Sequence, residues 1–169
     1  MDATMPAIQN DRCGTLYVPR LRWMLRGDMD RVLEIEALSF PFPWGVDDFI
    51  RMLRQRNCIG KVAEIRGEVA AYIVYEMRKA SYVILNIAVA PHIRRRGLGR
   101  LLIGQLQQAC SVHRLRSIEA IVVESNLEGQ LFFRDRGFRC RKTLAGFFNQ
   151  GNQTGYRFVW TKKAGKEDD

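Results

Sequence analysis

Histidine, cysteine and proline are all scarce in this 169-residue sequence, with counts of two, four and five. The histidines, His92 and His113, are far apart, and Cys13, Cys58, Cys110 and Cys140 form no C-x-x-C pair. Zinc-ligand spacing is therefore missing, and no metal is expected. Scattered thiols of this kind suit a reducing compartment better than a disulfide framework. Met1–Asn10 has no continuous apolar core of the signal-peptide kind, and no apolar run reaches membrane-spanning length. A cytoplasmic protein without a membrane partner is the expectation. Acid is also short: 18 Asp and Glu stand against 27 Lys and Arg, for a formal charge of +9. Such a field disfavours polycationic ligands. It raises on-rates for anions: cofactor phosphates, an acidic peptide or ribosomal RNA.

The length fits one domain with short tails. Residues 1–19 lack periodicity and are expected to be a flexible N-terminal segment, 20–162 to form the domain, and 163–169 to be a polar tail. Leu21–Leu25 reads as a first strand. Asp28 is positioned to cap a helix across Met29–Leu38, which Pro41 and Pro43 end. A second helix runs from about Asp47 to Arg56. Ile59–Ile65 and Val69–Met77 flank Arg66-Gly67-Glu68 as a hairpin, and Tyr82–Ala90 extends the meander. Ile118–Val123 is a short buried strand, expected to pair parallel to Tyr82–Ala90 through a right-handed crossover. Ser125-Asn126-Leu127-Glu128 has the form of a capping box opening a helix to about Asp135, which Gly137 closes. Strands near Phe138–Phe147 and Tyr156–Thr161 complete a mixed α+β arrangement.

The most informative stretch is 81–104. An apolar strand stops at Pro91, a basic turn follows, and Gly97-Leu98-Gly99 opens a helix with an apolar stripe at Leu98, Leu101, Leu102, Leu106 and Ala109. A strand, a glycine loop and a helix start, in that order, hold a phosphate: unpaired N–H groups and the helix dipole both face the anion. A dinucleotide fingerprint would need glycine where Leu102 stands. A P-loop after Gly99 and Gly104 would need Lys and Ser or Thr where Gln105 and Leu106 stand. What remains is Arg94-x-x-Gly97-x-Gly99 behind Ile87-Ala88-Val89.

That block resembles the acetyl-CoA motif of the GNAT superfamily of N-acetyltransferases. Phe40-Pro41-Phe42-Pro43-Trp44 looks like the F-P-W segment of ribosomal-protein alanine N-acetyltransferases. Glu124-Ser125-Asn126, followed by Phe132-Phe133-Arg134-Asp135-Arg136-Gly137-Phe138, is similar to the S-N…Y-x-x-x-G-F block of the same branch. The resemblance implies a largely antiparallel sheet with one splayed parallel strand pair and flanking helices in three layers. It implies acetyl-CoA as donor, its pantetheine arm added like a strand beside Ile87, Ala88 and Val89. Arg94, Arg95, Arg96, Gly97, Leu98, Gly99 and Arg100 would surround the pyrophosphate. Asn126 and Phe133 would lie toward the thiol end, and Phe42 and Trp44 would line the acceptor groove. The Val89 N–H is the candidate donor to the thioester oxygen. For Phe42 and Trp44 a core role, and for Asn126 a helix cap, is equally compatible with the sequence.

The sequence departs from the pattern at the chemistry. Five residues before Asn126, where the branch has a glutamate base, stands Ile121; seven after it, where it has a tyrosine acid, stands Phe133. Two substitutes are at hand. Glu119 shares a strand face with Ile121, about 7 Å along, and could act through a water; its alternative is an ion pair with Arg116 or Arg141. Tyr82 matches a tyrosine base of some eukaryotic N-terminal acetyltransferases; its alternative is core packing with a satisfied hydroxyl. An α-amine costs only about 1 kcal/mol to deprotonate at pH 7, a lysine about 4.6 kcal/mol. A weak base therefore favours a protein N-terminus, such as that of a ribosomal protein. A small-amine acetyltransferase and an acyl-CoA-binding module without turnover stay open, as does nucleic-acid contact through the basic surface.

Overall fold

The computed structural model describes residues 18–148 and 152–162. The expectations for residues 1–17, the turn at 149–151 and the tail from 163 lie outside the described residues. Seven strands form one sheet in the order β1-β2-β3-β4-β5-β7-β6. They are β1 (Arg20–Trp23), β2 (Cys58–Ile65), β3 (Glu68–Met77), β4 (Ser81–Val89), β5 (Ser117–Val123), β6 (Arg139–Phe148) and β7 (Gln153–Thr161). Four helices accompany them: α1 (Met29–Ala37), α2 (Val46–Leu53), α3 (Leu98–Val112) and α4 (Leu127–Asp135). The mixed α+β class, the meander and the single parallel pair are as the sequence predicts. The chain resolves into two compact units. One runs to Glu76 and resumes over Asn86–Ile103; the other takes Met77–Leu85 and everything from Gly104 onward.

In the first unit β1, β2 and β3 are antiparallel, with Arg20 opposite Glu64 and Val62 opposite Tyr72. The hairpin turn falls at Arg66 and Gly67, whose φ angles of 54° and 83° are both left-handed. Two consecutive positive φ values define the tight turn whose twist matches the flanking strands. β3 is buried from Val69 to Tyr75, which explains why it reads as a continuous apolar run rather than an alternating one. Val32, Ile35 and Phe49 bring α1 and α2 into the same core.

Asp28 corrects one expectation. It precedes α1, yet its side chain does not cap that helix. Its oxygens instead take two bonds from the Arg22 guanidinium, at 2.6 and 2.7 Å, and one from the Leu25 N–H at 2.7 Å. Arg22 also donates Nε to Glu64, 2.7 Å. A bidentate charged donor outcompetes a backbone amide for the carboxylate. The Arg22 bond holds the Asp28 carboxyl below its usual range, against the opposing effect of burial. A depressed carboxyl adds stability above its unfolded pKa of about 3.9 and loses it as pH falls through the folded value. Asp28→Asn should therefore lower unfolding free energy at pH 7 by about 2 kcal/mol. In urea titrations, the gap to the parent protein should close below about pH 4.

In the second unit β4 and β5 run parallel over Ser81–Ile84 and Ser117–Ala120. β7 lies antiparallel to β5 and to β6. Alternate residues of β5, Ile118, Ala120 and Val122, are buried together with Phe158, Phe133 and Phe138. The Phe133 ring stacks on Phe158 at 6.2 Å and meets Phe138 edge-on at 5.1 Å, so α4 packs over this face of β5 and β7.

Candidate active site

The first unit carries the strand and the glycine loop. The Ala90 N–H donates to the Ala70 carbonyl of β3, 2.9 Å. Strand alternation then turns the Ile87 and Val89 amides away from β3. Ile87 and Val89 are half-buried and Ala88 is buried. A one-turn helix at Pro91–Ile93 leads into the loop. Arg95 and Gly97 have φ of 65° and 91°, so the backbone reverses twice in three residues and can gather its N–H groups on one side. The earliest backbone bond into α3 runs from Leu101 N–H to Gly97 carbonyl, 2.9 Å. The amides of Leu98, Gly99 and Arg100 precede it and have no intrahelical partner. A Cβ at Gly97 would meet open space; its left-handed φ, not crowding, is what requires glycine there. Arg95 and Arg100 are exposed and Arg96 half-buried. These residues fit a pyrophosphate: free amides, an aligned helix dipole and loose cations.

Arg94 is held within the protein by two hydrogen bonds. Its Nε donates to the Val89 carbonyl at 3.0 Å and its Nη2 bonds Ser39 Oγ at 2.9 Å. The side chain thus ties the loop back to β4 and to the residues just after α1. Gly97→Ala should cost about 1–2 kcal/mol of backbone strain. It should weaken acetyl-CoA binding in calorimetry by roughly tenfold, the affinity equivalent of that energy.

Behind the Phe40–Trp44 segment lies a buried cluster that sequence reasoning missed. Glu36 is 1% exposed. Its Oε1 accepts from the Trp44 N–H at 2.8 Å and from Asn86 Nδ2 at 3.0 Å, and its Oε2 accepts from the Tyr72 hydroxyl. Burial, and then the Glu36 carboxylate, pushes the Tyr72 phenol well above its ordinary value, so it remains a donor. A signal was present: Glu36 sits four residues after Val32 on the apolar stripe of α1. The Trp44 ring is half-buried and meets Phe49 edge-on at 5.3 Å, whereas Phe42 is 52% exposed. Trp44 is thus part core, and Phe42 is the accessible aromatic of the pair.

In the second unit Asn126 is the N-cap of α4, its Oδ1 accepting from the Gly129 N–H at 2.8 Å. The cap lies one residue later than the capping box starting at Ser125 would put it, and the third helical position is Gly129 rather than Glu128. A Cβ on Gly129 would lie 2.8 Å from Asn126 Nδ2, so glycine there permits the close cap. Phe133 is 5% exposed and enclosed by Phe132, Phe138 and Phe158. It is part of the core of this unit.

Tyr82 is fully buried, and its hydroxyl bonds His113 Nδ1. Burial, with a smaller effect from Cys110, raises its phenol. The full burial fits the packing role. Glu119 is half-buried, and its Oε2 bonds Arg157 Nε at 2.9 Å, so its partner is neither Arg116 nor Arg141. Register puts Glu119, Ile121 and Val123 on the face of β5 opposite its buried residues. A methyl of Ile121 would lie 2.7 Å and the Phe148 ring 3.2 Å from a Cβ on Gly155. An apolar pad therefore occupies the position of the usual glutamate. Among the described residues no group of three or more His, Cys, Asp or Glu could hold a metal ion. No described helix is long and apolar enough to cross a membrane.

A strand with outward amides running into an arginine–glycine loop and a helix start makes an anion-binding element of the kind that holds a cofactor's phosphates. Residues 29–138 match the acetyltransferase (GNAT) family, and the chain belongs to it. It is 31% identical over 120 residues to a Bacillus subtilis protein provisionally described as a ribosomal protein bS18-alanine N-acetyltransferase, spanning 70% of this chain and 80% of that protein. The fold matches the Escherichia coli ribosomal-protein-S18-alanine N-acetyltransferase with a TM-score of 0.77 at 19% identity, over 89% of this chain and 99% of that one. Arabidopsis thaliana NAA60 in complex with acetyl-CoA matches with a TM-score of 0.73 at 18% identity, over 85% and 99%. The protein is a GNAT N-acetyltransferase.

Proposed function

We propose that this enzyme acetylates the N-terminal α-amine of a protein, with acetyl-CoA as donor. The observation that carries the proposal is Ile121. With an apolar side chain at the usual base position, the site has little power to deprotonate a lysine and needs little for an α-amine. Acetyl-CoA, when bound, supplies the acetyl group as an activated thioester. The Leu98, Gly99 and Arg100 amides, with Arg95, Arg96 and Arg100, hold its phosphates. The Val89 N–H, turned away from β3, would stabilise charge developing on the carbonyl oxygen. Glu119, on the face of Ile121, accepts the proton released on attack through a water. The described substrate of the Bacillus relative, the alanine terminus of a ribosomal protein, supports this substrate class and a cytoplasmic setting.

The test is acetyl-CoA titration by calorimetry, followed by a thiol-release assay on a mixed N-terminal peptide library. Binding with release, and mass spectrometry locating acetyl on α-amines, is the expected result. Acetyl-lysine as the product would overturn the proposal. Binding without release from any peptide would instead favour a cofactor-binding module or a small-amine enzyme, readings that Ile121 and Phe133 also support.

A further inference from the structure

We infer that the acceptor is an acidic N-terminus, with carboxylates at about its third and fourth residues held on the open face of β5, β7 and β6. The inference rests on the acceptor class proposed above and adds its charge.

Three cross-strand rows build the face. Glu119, Val159 and Arg139 share the first, Ile121, Arg157 and Lys142 the second, Val123, Gly155 and Leu144 the third. Paired residues point to the same side of a sheet, and the alternate rows of β5 and β7 hold the buried Ala120, Val122 and Phe158. A register shift between Cys140 and Lys142 takes up Arg141 and brings Lys142 opposite Arg157. The rows thus hold three cations and a single carboxylate, Glu119, which Arg157 already engages. Arg139 and Lys142 are exposed. Among the described residues neither has a carboxylate partner.

Lys142 lies directly across from Arg157, and the Glu119 carboxylate that Arg157 holds offsets only one of the three cations, so the rows keep like charges on neighbouring strands that repel. Charge on an edge strand can serve to prevent edge pairing, and β6 is an edge. Edge protection is satisfied by lysine at any exposed position. It does not call for a cation in the row of Arg157 and of Ile121. An acceptor carboxylate beside Lys142 and Arg139 balances the charge that Glu119 leaves over.

The geometry sets the register of the acceptor. Ile121 and the Phe148 ring form the apolar pad, and Lys142 lies two strands away, about 10 Å. An extended peptide covers that distance in about three residues. An amine at the pad therefore brings the third and fourth side chains to the cations.

The test uses three acceptor peptides alike except at residues 2–5: acidic, neutral and basic. In low salt, kcat/KM should be at least tenfold higher for the acidic than for the basic peptide, chiefly through KM. The ratio should shrink as NaCl is raised, because screening weakens exposed ion pairs. The double variant Arg139→Gln, Lys142→Gln should reduce the ratio to within about threefold, with its folding checked by thermal melting. Equal or preferred use of the basic peptide overturns the inference and leaves α-amine acetylation intact. An acidic preference that survives the double variant overturns the assignment to this face. If no peptide turns over, the proposed function has failed. Fluorescence anisotropy of the labelled peptides with CoA present then reads the charge preference directly, and equal binding of all three overturns it. Tighter binding of an RNA homopolymer than of the acidic peptide, lost in the double variant, would assign the face to nucleic acid instead.

Discussion

Replacing Glu36 by alanine should cost about 3–5 kcal/mol of folding stability, the largest effect expected of any single side chain in the first unit. The reason is the number of donors left behind. The Trp44 N–H, Asn86 Nδ2 and the Tyr72 hydroxyl all converge on one carboxylate that is 1% exposed. No water reaches them when it is removed, so each unpaired donor carries its full desolvation penalty. Urea unfolding measures this loss. A midpoint shift under about 1 kcal/mol would mean that the cluster rearranges or admits water.

Glu36→Gln separates the functional consequence from the structural one. The amide can still accept from Trp44 and Asn86, while the amide nitrogen now faces the Tyr72 oxygen, which can accept in turn. The fold should survive with a loss of about 1–2 kcal/mol. What changes is the negative charge that pins the Trp44 backbone, two residues after the exposed Phe42. If the Phe40–Trp44 segment lines the acceptor groove, the acceptor KM should rise severalfold in Glu36→Gln while acetyl-CoA affinity stays the same. A parallel loss of acetyl-CoA affinity would mean that the segment supports the fold as a whole.

The cluster also marks where sequence reading gave way. The strand–glycine–helix block was legible because its signals are local: Tyr82 through Leu106 carry strand, turn and helix patterns within one short window. The hairpin at Arg66-Gly67 was legible for the same reason. What could not be read depends on partners distant in the chain. Asp28 looks like a helix cap until Arg22 and, through it, Glu64 claim the local charge. Glu36 looks like one more acid on a helix until residues 44, 72 and 86 fold around it. Glu119 had two suggested cations, and the sheet supplied a third, Arg157, from the neighbouring antiparallel strand. For the start of α4 the sequence offers both Ser125 and Asn126, and the structure takes Asn126; serine and asparagine both cap well and adjacent choices differ little in energy. Arg94 sits in a motif that suggests phosphate, and only the fold reveals that Val89 and Ser39 hold it.

The pH dependence should be steep. With Ile121 at the base position and Tyr82 protonated and engaged by His113, the reactive species is the neutral α-amine delivered by solution equilibrium. For an amine of pKa about 7.8, the neutral fraction rises about 40-fold between pH 6 and pH 8. kcat/KM for a peptide N-terminus should follow that rise with a slope near one and level off above the amine pKa. An enzyme with a base poised near neutrality would give a second inflection of its own. Glu119 enters after attack, when the adduct nitrogen carries a positive charge and its proton must leave. Glu119→Gln should therefore lower kcat on the order of tenfold, less than the 10²–10⁴-fold of a directly placed base, and leave the shape of the profile intact. Tyr82→Phe should leave both rate and profile unchanged while removing the hydroxyl's bond to His113, worth about 1 kcal/mol. A profile that is flat from pH 6 to 8 would require a base that neither residue provides. Loss of the slope in Tyr82→Phe would return Tyr82 to the chemistry. Steady-state assays across that range, using one peptide with a blocked lysine and one with a blocked N-terminus, separate these outcomes and check that the α-amine is the group that reacts.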